Sequence, residues 1–394
     1  VAEFYPSERD PVLGVWAHRQ ALAARDAGAE VRVLVLHRLV PPRSAFASGP
    51  AATAGALAAR LREPRRQTRD GLRVTYVPFV SPARTRGYAS WGAWAAPPLA
   101  LALRRLRAEF PFDLVHAHNA VPAGDAVRRA RIGAPLVVSV HGGDVFHTAR
   151  LGPSGARAVA AGLGAARLVL ANSEGIAELS RASGAAHTRV VHLGAEAPLG
   201  WPRRGDDVTP AHGAPTLVTV AHLVARKRHA DVLRALAVLA PRHPTLRYAI
   251  VGDGPERVPL EGLAFRLGVR ERVDFCGQLA PRAALERVRS CTLFVMPSTD
   301  EAFGVAYVEA MAAGLPAIGC RGEPGPEEIA AAGDGFVLVP PGDIERLTQR
   351  IDELLSDAHR LREAGRRARE SVSANFSWRR CGEQTLAAYA DVVA

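Results

Sequence analysis

Short apolar runs bounded by turn residues recur along the chain, alternating with stretches whose apolar positions return every three or four residues. That alternation is the signature of parallel strands connected by helices. In the first half the runs are Val1 to Tyr5, Val31 to Leu36, Phe112 to Ala117, Pro135 to Val140, Leu168 to Ala171 and Arg189 to His192. In the second half they are TLVTVA from Thr216, LRYAIVG from Leu246, RVDFCG from Arg272, TLFVMPS from Thr292 and PAIGC from Pro316. A turn-rich loop, Pro6 to Gly14, leads into a helix expected over Val15 to Ala27, which Gly28 stops. Residues Pro41 to Asp70, rich in Ala, Pro, Arg and Gly, read as a mobile excursion, and Gly194 to Pro215 reads as a linker. The pattern predicts an α/β chain of two doubly wound domains, at 1–197 and 213–376, followed by a terminal segment at 377–394.

Length and composition agree, since 394 residues suit two or three domains and 48% hydrophobic content suits packed α/β layers. The cysteines, Cys276, Cys291, Cys320 and Cys381, lack the paired short spacing of a zinc site or disulfide framework, which suits a reducing cytoplasm. The uncharged run Gly87 to Leu103 is too short, and too interrupted by Pro97 and Pro98, to cross a bilayer. The start at Val1, directly before a loop, leads us to expect no signal peptide and a first strand shortened at its beginning. Net charge is +11, and it is asymmetric: residues 1–200 hold 25 Arg against 14 acids, whereas 201–394 hold 25 bases against 25 acids. A basic first half suits an anionic membrane surface, a phosphorylated lipid or nucleic acid, or simply serves solubility. Trp91 and Trp94, then Leu99, Leu101, Leu103 and Arg104, Arg105, Arg107, fit either a membrane-surface element or a core-facing helix.

The most informative stretch is Ser298 to Pro316, STDEAFGVAYVEAMAAGLP. A buried strand, Leu293 to Met296, leads through a loop to a helix starting after Gly304. A helix N-terminus offers unpaired N–H groups and partial positive charge, so the backbone of Phe303, Gly304 and Val305 suits an anion such as a diphosphate. Glu309, a turn further on, could accept from vicinal ribose hydroxyls, while Glu301 in the loop could face a second hydroxylated group. Both could instead be helix-start glutamates favoured by the dipole. In the first half, Pro135 to Val140 ends in His141, Gly142, Gly143, Asp144, putting a histidine where open α/β sheets take ligands. Gly252 and Gly254 fail as a dinucleotide fingerprint because Arg257 stands in place of the third glycine.

The run Glu301-Ala-Phe-Gly304 with Glu309-Ala-Met-Ala-Ala-Gly-Leu-Pro316 resembles the signature of glycosyltransferase family 4. That resemblance implies retaining enzymes of GT-B architecture, two Rossmann-like domains facing a cleft, with the nucleotide sugar held by the second. It implies that the Gly14 loop faces the donor diphosphate, although Gly14 stands alone where two glycines are common. It further implies that His141 meets the donor sugar, that His116, His118 and Asp144 lie on the acceptor side, and that Gly277 and Gln278 flank the base. For His116 and His118 the structural reading is the commoner one, since a lone histidine is more often a satisfied structural residue, and His141 has the better case. Lys227 matches a diphosphate-binding lysine, while His222 stands where an arginine is expected and Arg228 where glycine usually follows; Arg226 could compensate. The last helix, 377–394, would pack back on the first domain.

Lys227 is also the only lysine in the chain. In so Arg-biased a composition its survival suggests a compact ammonium at a tight phosphate site, or else chance. No Asp-x-Asp pair is present to hold a metal beneath a diphosphate, so no metal and no cofactor are expected. These features predict a retaining glycosyltransferase using a UDP- or GDP-hexose-type donor and a glycan or lipid-linked acceptor in envelope or polysaccharide synthesis. It would be cytoplasmic or peripheral on the inner membrane face, with nucleic acid an unlikely partner. The rivals are a basic anionic-lipid or nucleic-acid binding protein on a degenerate scaffold, and a sugar-nucleotide epimerase or hydrolase.

Overall fold

The computed structural model describes residues 1–8, 10–41, 43–62, 64–195 and 214–394. Two compact units emerge, Val1–His192 with Cys381–Ala394, and Leu193–Arg380. Most of the expected linker, and the boundaries at 197 and 213, lie outside the described residues.

In the first unit β1 (Arg32–Arg38) pairs in parallel with β3 (Leu72–Phe79), which pairs antiparallel with β2 (Arg66–Arg69). A second run orders β4 (Val115–His118), β5 (Leu136–Val140), β6 (Leu168–Ala171) and β7 (Thr188–Val190), all parallel. Ala2 bridges both Val35 and His118, so the short opening segment joins the two runs. The expected excursion over Pro41 to Asp70 is instead structured, with helices Arg43–Ala47 and Pro50–Leu61 and the strand β2. The overlooked signal is Asp70-Gly71, both at positive φ (46° and 80°), which is the two-residue turn that tight hairpins favour.

Trp91 is not an interfacial aromatic. It is 4% exposed, packs between Phe79 and Tyr88 at 5.9 and 5.1 Å, and donates its indole N–H to Pro82 O. Within the helix Trp91–Glu109, Leu99 and Leu103 are buried with it, whereas Trp94 and Leu101 are each 49% exposed.

The second unit carries a parallel sheet in the order β10 (Val273–Gly277), β9 (Arg247–Val251), β8 (Thr216–Val220), β11 (Leu293–Val295), β12 (Ala317–Cys320), β13 (Phe336–Val339). The reversal between β8 and β11 is the switch point at which such sheets open a crevice. Strand β13 was not anticipated; the glycines Gly333 and Gly335 flank its start. The sheet is buried on its faces by Leu217, Ile250, Leu293 and Ile318 against the helix residues Val232, Leu236 and Ile351. Each such side chain contributes roughly 1.5–3 kcal/mol. From Cys381 onward the last helix, Trp378–Val393, belongs to the first unit, where Thr385 accepts from Gln20 and Tyr389 meets His116.

Candidate functional site

On the second unit the chain leaves β8 and turns through Ala225–Lys227 into the helix His229–Leu239. Lys227 Nζ lies 2.5 Å from Glu301 Oε2, and Ser298 Oγ donates to that same oxygen at 2.8 Å. The Tyr307 hydroxyl, 3.0 Å from Ser298 Oγ, donates to Met296 O and fixes the serine from beneath. Thr299 N–H donates to Arg226 O, and Arg226 Nη1 reaches Asp300 O at 3.3 Å, so the lysine turn and the glutamate loop are stitched together. Burial alone would raise the Glu301 carboxyl, but Lys227, by charge and hydrogen bond, holds it below the usual carboxylate range. Burial lowers the Lys227 ammonium, and Glu301 opposes that shift.

Around this pair the candidates separate. Arg226 is exposed beside it; His222 is exposed too, but no hydrogen bond or ion pair among the described residues joins its ring to the cluster. Arg228 is left-handed (φ 55°), which explains why glycine suits this position, and its Nε is tied to Asp231 Oδ2 at 2.6 Å. Arg228 is therefore held by Asp231. Glu323 is the N-cap residue of the helix Pro324–Ala331, and its side chain makes no cap hydrogen bond there. Its carboxylate accepts the Glu301 N–H at 2.8 Å and so positions the loop. Nothing in the sequence pattern distinguishes these two tasks.

Phe303 is buried, and Gly304 N-caps the helix Val305–Ala312 in the left-handed region (φ 90°). A Cβ there would come within 2.2 Å of the Tyr307 ring, so glycine alone lets the backbone pass. Glu309 lies one turn in and is half-buried. Gly277, at the end of β10, gives its carbonyl to Gly252 N–H, and Gln278 beside it is exposed. Arg257 pairs with Glu261 and stacks over Phe275, a structural commitment where a dinucleotide site would need glycine.

On the first unit Gly14 (φ 75°) enters the helix Val15–Asp26 against the opening segment, where a Cβ would stand 2.2 Å from Phe4 C. Three histidines form a column at the ends of β4 and β5. His116 stacks on His118 at 4.6 Å, and His118 on His141 at 5.3 Å with planes 6° apart. Both ring nitrogens of His116 are engaged, by Tyr389 Oη and Ser139 Oγ, each at 2.7 Å, which makes it the column's foundation. His118 Nδ1 lies 3.1 Å from His141 Nε2 and orients that ring. Burial pushes His141 down to about 4 and His116 to about 3, so the column is neutral at pH 7. Asp144 is buried and accepts from the backbone of Ala120 and Val121 and from Asn119 Nδ2. It holds the loop after β4, and burial raises it to about 6 against those bonds. Among the described residues no three His, Cys, Asp or Glu side chains converge as metal ligands, and no helix is long and apolar enough to cross a membrane.

Two doubly wound units, each bringing its candidate residues to strand C-termini, define the GT-B class. Solved structures agree in fold: sucrose-phosphate synthase from Thermosynechococcus elongatus superposes with a TM-score of 0.75 at 22% identity, covering 96% of this chain and 92% of that one. Anabaena HepE, solved with UDP and glucose, superposes with a TM-score of 0.70 at 22% identity, covering 94% and 95%. The glycosyl transferase 4-like domain matches residues 13–194, and the glycosyl transferases group 1 domain matches residues 206–371. The chain belongs to glycosyltransferase family 4. The GDP-mannose-dependent alpha-(1-6)-phosphatidylinositol monomannoside mannosyltransferase of Mycolicibacterium smegmatis is 31% identical over 175 residues, 43% of this chain and 46% of that protein. The chain spans less than half the length of the first curated relatives it matches.

Proposed function

We propose that this protein is a retaining glycosyltransferase that moves a hexosyl unit from a nucleoside diphosphate sugar to a glycan or lipid-linked acceptor. The observation that carries this reading is the Lys227–Glu301 pair beside Arg226 and the helix start at Gly304. The leaving diphosphate gains negative charge as the glycosidic bond breaks, and preorganised cations and N–H groups aimed at it are worth most in a water-poor site. Lys227 and Arg226 supply that charge, and the backbone of Phe303 to Val305 supplies donors. Glu309 accepts from the ribose, and Glu301, once the phosphate takes Lys227, is released toward hydroxyls of the transferred sugar. On the first unit we assign His141, neutral and held by His118, to binding sugar hydroxyls. The relatives' GDP-mannose and UDP leave two donor bases in contention.

Thermal stabilisation of the full chain by UDP-, GDP- and ADP-sugars tests the reading, because a specific donor stabilises the folded state by mass action. We expect one base to raise the melting temperature and its sugar nucleotide to be turned over with retained anomeric configuration. Equal, negligible shifts across the panel would leave the rival binding-protein reading in its place.

A lipid-linked acceptor is favoured by the exposed row Trp94, Leu101, Arg104 and Arg105 on the helix Trp91–Glu109, whose spacing puts apolar and basic side chains on one face. We propose that this row meets an anionic membrane surface on its cytoplasmic face.

A further inference from the structure

Among the described residues of the first unit, the buried polar atoms without a hydrogen-bond partner include Trp16 Nε1, His141 Nδ1 and Asn172 Oδ1. Leaving one such atom unpaired costs about 1–3 kcal/mol, so each needs a physical reason. These three are gathered in one region. Val140 and Ala171 are register partners in β5 and β6, so His141 and Asn172 are the next residues at the ends of neighbouring parallel strands. Side chains at matched positions of paired strands leave the same face of a sheet. The Trp16 ring lies 6.1 Å from that of His141. Asn172 itself is only 5% exposed.

The chemistry of the three atoms restricts what can satisfy them together. An indole N–H only donates and an amide oxygen only accepts, while a neutral imidazole Nδ1 does one or the other. A phosphate or carboxylate would answer Trp16 but set oxygen lone pairs against Asn172 Oδ1. An ammonium would fail in the opposite sense. A hydroxyl both accepts and donates, and neighbouring hydroxyls answer all three.

We propose that Trp16, His141 and Asn172 form a subsite that reads adjacent hydroxyls of a sugar, with Trp16 and Asn172 as binding residues beside His141. This rests on the reading of His141 as sugar-facing. The hydroxyls belong either to the transferred sugar of the donor or to the acceptor glycan.

The test uses the full chain with Trp16→Phe and Asn172→Leu, each keeping most of the side-chain volume. Calorimetry measures UDP-glucose, GDP-mannose, UDP and GDP; saturation-transfer NMR measures methyl α-glucoside and methyl α-mannoside. If the donor sugar is read, each variant weakens the sugar nucleotide about fivefold to tenfold, one hydrogen bond's worth, and leaves UDP and GDP unchanged. If the acceptor is read, the methyl glycoside signals fall and sugar-nucleotide affinity holds. In either case Asn172→Leu should raise the melting temperature, because it removes an unsatisfied buried acceptor that serves the ligand and not the fold. Sugar affinities equal to wild type in both arms overturn the subsite, the atoms then being satisfied by buried water only. A wild-type chain that binds UDP or GDP but no sugar-bearing probe also overturns it, while the transferase reading stands. Asn172-dependent glycoside binding without any nucleotide binding keeps the subsite and fails that reading. Binding of neither class overturns both.

Discussion

Lys227 Nζ rests 2.5 Å from Glu301 Oε2 across 74 residues of sequence, and both side chains are about nine-tenths buried. A buried pair of this kind is hard to break from one side. Removing the ammonium leaves an uncompensated carboxylate, at a cost of about 3–5 kcal/mol. Lys227→Ala should therefore lower stability as well as turnover, and the two effects separate in the double variant Lys227→Met with Glu301→Gln. We expect denaturant midpoints near wild type for the double variant, with turnover still down about a hundredfold or more, as befits a cation lost from the leaving group. Restored turnover would remove Lys227 from the chemistry.

Lys227→Arg asks whether charge alone suffices. The side chain is enclosed, a guanidinium is broader than an ammonium, and Glu301 must be able to let go when a diphosphate arrives. Turnover at saturating donor should fall at least tenfold. An Arg variant with full activity would make the chain's one lysine an accident of composition.

Glu323 offers a probe that avoids the reacting groups. Its carboxylate holds the Glu301 backbone N–H, so Glu323→Leu should loosen the loop, while Glu323→Gln, which keeps an acceptor oxygen, should not. We expect Glu323→Leu to lower kcat several-fold with little change in nucleotide affinity, and Glu323→Gln to restore it. Equal losses in the two variants would point to charge instead of position.

Much of this architecture could be read from the chain because parallel strands buried on both faces announce themselves as short apolar runs, as TLVTVA and LRYAIVG do. The strand end at His141 and the helix start at Gly304 were legible for a second reason: the left-handed backbone at Gly142 and Gly304 calls for glycine. Partnership was not legible. That Glu301 meets Lys227, that Glu323 serves Glu301, and that Tyr389 anchors His116 from 273 residues away are facts of tertiary packing with no local spacing rule. Trp91 meets the same limit: its pattern left a membrane-surface element and a core-facing helix both open, and only Phe79 and Tyr88 enclosing the ring decide for the core. Arg228, standing where glycine usually follows, takes up a left-handed conformation and is held by Asp231, a pairing that no local spacing announces.

Membrane association should depend on the exposed row and not on Trp91. Trp94→Ser combined with Arg104→Ser and Arg105→Ser should reduce co-sedimentation with vesicles containing anionic phosphatidylglycerol, and wild-type binding should fall as salt rises. Binding that is equal for neutral and anionic vesicles would count against the proposal, as would a triple variant that sediments like wild type.

The histidine column makes the first unit acid-sensitive in a defined direction. Burial lowers His141 to about 4 and His116 to about 3, and His118 well below its ordinary value. In the unfolded chain all three return to about 6.5. Above that pH both states are neutral and the column adds no pH dependence. As pH falls below it, the unfolded chain takes up protons that the folded chain refuses, so stability is lost progressively down to the folded values near 4. The slope is about 1.4 kcal/mol per pH unit for each histidine, or roughly 4 for the three together. Urea denaturation followed by tryptophan fluorescence at pH 7.5, 6.5, 5.5 and 4.5 should therefore show a wild-type midpoint that drops steeply below pH 6.5. In His118→Asn, which cannot titrate there, the drop should be shallower by about one histidine's share. A midpoint that holds constant from pH 7.5 to 5 would mean that the column opens to solvent and protonates without unfolding, and the fixed orientation of His141 by His118 would have to be abandoned.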